Sequence, residues 1–156
     1  MIYGLVIFVS AFLLFLVQPL IAKQILPWFG GSAAVWATCL LFFQSALLAG
    51  YAYADVITRW LSLKRQAMLH TALLIVAAVM MPIIVAGHWK PTGDEEPISR
   101  ILLLLAATIG LPYFLLSTTT PLVGAWYWRR HRSSAPYRLF ALSNFASLLA
   151  LLGFPF

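Results

Sequence analysis

The chain has 156 residues, of which 63% are hydrophobic and only 9% charged. Soluble domains run at roughly 45–50% apolar and 25% charged, and a small domain hides only about two-thirds of its chain surface. These values exclude a water-soluble globule and a disordered chain, and they predict an all-α integral membrane protein.

The net charge of +6 comes from ten basic and four acidic residues. In a soluble chain it would suggest nucleic acid as a partner. Here the basic residues fall in short gaps between apolar runs, so they read as a topology signal, and no nucleic acid is expected. The one cysteine, Cys39, allows no intrachain disulfide. The run from Ile2 has no basic leader and no small-x-small site after it, so it reads as a retained span and not a cleaved signal peptide.

A spanning helix needs about 20 apolar residues. Five stretches reach or approach this: residues 2–25, 33–57, 67–86, 101–126 and 139–156. The expected fold is one transmembrane domain over residues 1–156, a polytopic bundle of about five helices. Between the first two spans, Pro27, Gly30 and Gly31 break the helix and Ser32 can cap the next one. So short a gap predicts an antiparallel hairpin. The third gap, His88 to Ser99, is the long polar one. Its acids, Asp94, Glu95 and Glu96, suit the N-terminus of the helix that follows.

The second and fourth gaps hold Arg59, Lys64, Arg65, Arg129, Arg130, Arg132 and Arg138. The other side has only Lys23, Lys90 and Arg100. The positive-inside rule then places the N-terminus in the cytoplasm. Trp28 and Trp89 mark the outer interface in this reading; Trp60, Trp126 and Trp128 mark the inner one. An aromatic belt accounts for all five without a binding role.

Small residues recur at four-residue spacing: Ala46, Gly50 and Ala54; Ala106 and Gly110; Ser143 and Ser147; Ala146 and Ala150. Such faces let helix backbones approach closely, and packing within the bundle is the plainer reading. Gln18, Gln44, Thr118, Thr119, Thr120, Ser143 and Asn144 are expected to turn inward as interhelical hydrogen-bonding groups. Pro19, Pro112 and Pro121 free backbone carbonyls that Ser or Thr hydroxyls can satisfy. Asp55 and Arg59 read as an i,i+4 ion pair. Arg129, Arg130 and Arg132 suit anionic headgroups or an acidic partner, although a topology signal explains them too.

His70, His88 and His131 are scattered, without metal-ligand spacing. His70 alone has the depth for a pigment or haem ligand; otherwise no cofactor is expected. No glycine-rich phosphate loop, nucleophile elbow or paired intramembrane carboxylates occur, so no enzyme is expected. No inverted repeat divides the five spans, which argues against a complete alternating-access carrier.

One stretch carries a resemblance. Gly30-Gly31-Ser32, Ala34-Val35-Trp36, Thr38-Cys39, Phe42-Phe43-Gln44 and Gly50-Tyr51-Ala52-Tyr53-Ala54 follow one another from Pro27 to Asp55. A second set is Pro136-Tyr137, Ala141 to Asn144 and Ser147 to Leu152. Together they resemble the membrane part of bacterial fusions between a major-facilitator-like domain and a spermidine-synthase-like domain. The family often has Pro, Asn and His where Ala33, Ala37 and Asp55 stand. Its soluble aminopropyltransferase-like domain has no counterpart in these residues, so no nucleotide or polyamine site carries over. The resemblance implies a bacterial cytoplasmic (inner) membrane.

The leading expectation is a non-catalytic accessory subunit, in contact with membrane lipids and other transmembrane subunits of a larger complex, respiratory or photosynthetic. The alternative is a transporter-like or polyamine-handling module of such a fusion protein, present as a fragment.

Overall fold

The structure, a computed structural model, describes residues 2–91, 93, 96–131 and 136–155. These residues form α1 (Ile2–Phe29), α2 (Ala33–Trp60), α3 (Leu63–Val79), α4 (Pro97–Leu105), α5 (Leu111–His131) and α6 (Pro136–Gly153). A π-helical turn, Ala106–Gly110, joins α4 to α5, so the chain is helical from Pro97 to His131. Among the described residues there is no strand, and the protein is an all-α bundle.

α1, α2 and the 97–131 helix are long and apolar enough to cross a membrane. The expected fourth span is therefore longer than residues 101–126, because Pro97 opens the helix at a position where its missing N–H costs nothing. α1 runs four residues past its expected end, through Pro27. The fifth stretch forms α6, which begins at Pro136 and ends at Gly153.

The third stretch departs most. Residues 67–86 are not one helix: α3 starts at Leu63 and stops at Val79. Pro82 cannot donate a helical hydrogen bond, and it pushes the residue before it out of the helical region. At 17 residues, α3 is about 26 Å long, short of the roughly 30 Å hydrocarbon core.

The first gap behaves as its residues demand. Gly30 and Gly31 take φ of 87° and 55°, and the Gly31 N–H bonds the Leu26 carbonyl at 3.0 Å. This six-residue closure caps α1 and needs glycine at the left-handed position. Ser32 Oγ then accepts the Val35 N–H at 3.4 Å, capping α2. Glu96, by contrast, is at the N-cap of α4 but its side chain caps nothing there; Asp94 and Glu95 lie outside the described residues.

The expected α1–α2 hairpin is a minor interface. α1 packs mainly on α6 and α5, and α2 mainly on α5 and α4. The principal core joins Leu14, Ile21 and Ile25 of α1 with Val35, Cys39 and Phe43 of α2, and with Ile101, Leu104, Leu105, Ile109 and Tyr113. A smaller cluster of Ala54, Ile57 and Leu122 closes the end that carries Arg59 and Arg129. α3 rests on α5 and only lightly on α2. Outward faces are lined with Leu, Ile, Val and Phe, such as Leu48 at 69% and Leu152 at 61% exposure. Soluble monomers rarely present so many large apolar side chains to water.

Candidate functional site

The small-residue faces are used unequally. Gly50 lies directly against Ser117 of α5, whose Oγ donates to the Phe114 carbonyl at 2.6 Å and approaches the Ala46 carbonyl at 3.4 Å. Ala54 packs in the cluster around Leu122. The Ala46–Gly50–Ala54 face therefore serves the α2–α5 contact. Ala106 is exposed, while Gly110 faces Phe42 across the π turn. On α6 the buried residues are Ala146 and Ala150, and Ser147 merely donates to the Ser143 carbonyl at 2.9 Å.

The inward-facing expectation fails for two polar residues. Gln44 and Asn144 are exposed, and neither has a hydrogen-bond partner among the described residues. A helix carries both on faces opposite those that α5 and α1 cover. The expectation for Pro112 and Pro121 also fails. Ser and Thr hydroxyls on the 97–131 helix bond the carbonyls of Leu104, Phe114 and Leu115, not those that Pro112 and Pro121 free at Thr108 and Ser117. A π turn just before Pro112 absorbs that interruption instead.

Asp55 and Arg59 form the expected ion pair at 2.8 Å on the exposed face of α2. Arg129 donates to the Thr58 carbonyl and so ties α5 to the end of α2. Arg129 and Arg130 border a shallow hollow with Tyr3, Leu63, Ala67 and Trp126. Arg132 lies outside the described residues.

Two buried polar contacts were not legible as pairs. Gln18 Nε2 donates to Tyr113 Oη at 2.8 Å, linking α1 to α5, with Phe43 against the Tyr113 ring at 4.9 Å. Gln66 donates to the Leu61 carbonyl at 2.7 Å and accepts the Trp126 indole N–H at 2.8 Å. Trp126 is therefore an internal tie between α5 and α3. The missed signal was the Gln66/His70 pair, one helical turn apart at the polar edge of an apolar run.

That second contact borders a cavity of about 560 Å³ between α1, α3 and α5. Val6, Ser10, Leu13 and Val17 form one wall, Leu74, Ala77 and Met81 a second, Pro112, Leu115 and Leu116 a third. Its polar lining comes from Ser10, His70, Thr119 and Trp126, all toward the end of the bundle that bears Arg129. His70 is only 8% exposed, and its Nδ1 is buried without a hydrogen-bond partner. Tyr53 Oη also has no partner among the described residues, and the Tyr53 and His70 ring centroids are 6.3 Å apart. Among the described residues no three His, Cys, Asp or Glu side chains gather as a metal site.

No protein-family model matches this chain, and no curated protein or solved structure matches it either.

Proposed function

We propose that the chain is a non-catalytic, multi-pass membrane subunit that packs against other transmembrane helices through the outer faces of α2 and α6. The observation that carries this reading is Gln44. It sits mid-helix on a stripe of exposed residues, Ala37, Leu41, Gln44, Leu48, Tyr51 and Asp55, spaced alternately four and three apart. That spacing is the seam of a helix pair. An amide in hydrocarbon lacks water to bond, so a partner helix offering a donor or acceptor is favoured. Asn144 repeats the arrangement on α6, between Ala141 and Leu148.

The same reading places the N-terminus and the Arg59/Arg129 end in the cytoplasm of a bacterial cell, with the chain in the inner membrane. All five helical segments then pass through the bilayer, α3 with the unwound residues after it.

A photo-crosslinking residue at position 44, introduced in native membranes, tests the proposal. An adduct to a second membrane polypeptide, together with migration in a larger complex on native gels, is expected. A chain that migrates alone and forms no adduct from position 44 or 144 overturns it.

A further inference from the structure

The cavity between α1, α3 and α5 has the shape and polarity of a lipid-ligand site. Its lining runs from Val6 to Val17 on α1, about 16 Å of helix. Its volume of about 560 Å³ lies within the roughly 300–1,000 Å³ of small-molecule pockets. The long axis is apolar. The polar groups lie in the half of the cavity toward Arg129, where Ser10 and His70 are each about 10–13 Å from the start of their helix.

Two features separate this cavity from a packing defect. First, His70 is more than nine-tenths buried, lines the wall and has an Nδ1 without a hydrogen-bond partner among the described residues, although a neutral imidazole carries one donor and one acceptor. The Ser10 hydroxyl beside the same space has no side-chain partner either. Buried polar groups are normally paired, so the His70 imidazole invites a ligand atom. Second, α3, which carries His70, is the helix held most lightly by its neighbours. Its inner end is fixed through Gln66, while its outer end passes into the irregular segment after Val79. One wall can therefore yield without breaking the main core.

We propose that this cavity binds a neutral lipid with a single long apolar chain and a carbonyl head, the carbonyl accepting a hydrogen bond from the His70 imidazole. Apolar walls take the chain, and Ser10 supplies a second donor to the head. Two sources share this chemistry: an isoprenoid-type quinone and a fatty-acyl carbonyl. No bond is made or broken in binding.

The test uses the full chain in nanodiscs of phosphatidylethanolamine and phosphatidylglycerol. Decylubiquinone is titrated and quenching of tryptophan fluorescence recorded, since Trp126 lines the site. Saturable quenching is expected. His70→Ala should weaken it at least tenfold, His70→Gln by less than threefold, and Ala77→Phe should abolish it by filling the wall. Leu41→Ala, on the outer face of α2, should leave it unchanged. Displacement by methyl oleate assigns the acyl source; saturable quenching that methyl oleate leaves intact assigns the quinone. If neither probe binds saturably, or if His70→Ala and Ala77→Phe both bind like the parent while circular dichroism shows them folded, the proposal is wrong. A lone chain on native gels would sink the subunit reading and leave this binding untouched.

Discussion

Ser117 occupies the space that a side chain at position 50 would need. A β-carbon on Gly50 would overlap Ser117 Oγ and come within 2.9 Å of Ser117 Cβ and 3.2 Å of the Phe114 carbonyl oxygen. The α2–α5 interface is as close as it is because one partner has no side chain.

Gly50→Ala should therefore destabilise the bundle by about 1–3 kcal/mol, the usual cost of overpacking a tight contact. Ser117→Gly in the same chain should recover part of that loss by removing the clashing atoms. Unfolding in mixed micelles, followed by circular dichroism, measures both. Equal stability of the single variant and the parent would refute the contact.

The Gln18–Tyr113 bond crosses from α1 to α5 in the main core, where Tyr113 is fully buried. Hydrogen bonds between membrane helices average about 0.6 kcal/mol and reach about 1.7. A double-mutant cycle with Gln18→Leu and Tyr113→Phe should give a coupling in that range. A coupling of zero would mean that the two groups act independently.

Gln66 ties the first turn of α3 to the Leu61 carbonyl, just after α2, and to Trp126 of α5. Gln66→Leu strips the half-buried Trp126 indole N–H of its acceptor, at a cost of about 1–3 kcal/mol. Hydrogen exchange in the first two turns of α3 should rise, while that in α2 stays level. Uniform exchange across the bundle would show that Gln66 is no tether.

The Asp55–Arg59 pair is exposed on both sides. Asp55→Asn should change stability by less than about 1 kcal/mol, as exposed pairs do. A larger loss in the same unfolding assay would place the pair in a buried interface of the native assembly.

Orientation can be read with single cysteines in a Cys39→Ser background. Ser62→Cys should label only after inner-membrane vesicles are inverted, and His88→Cys only in intact spheroplasts. The opposite pattern would reverse the proposed topology.

Much of the candidate site escaped the sequence for one reason. Spanning helices such as α1 are apolar all round, so no amphipathic stripe says which face is buried. Gln18, Gln44 and Asn144 look alike as isolated polar residues in apolar runs, yet only Gln18 turns inward. Gly50 was readable as a close-approach residue, because its spacing from Ala46 and Ala54 survives any choice of partner. Its partner, Ser117, was not. His70 stood out by depth, but the cavity beside it is formed by three helices that are far apart in sequence.

Helical class, the turn at Gly30–Gly31 and the apolar outer surface followed from sequence alone. These depend on local rules: an apolar backbone must bond to itself, and a left-handed cap needs glycine. Only the tertiary structure decided that α1 pairs with α6 more than with α2, that α3 ends at Val79, and that Trp126 serves Gln66. Those outcomes depend on which faces meet across the bundle. Packing between helices distant in the chain sets them, and hydropathy does not record it.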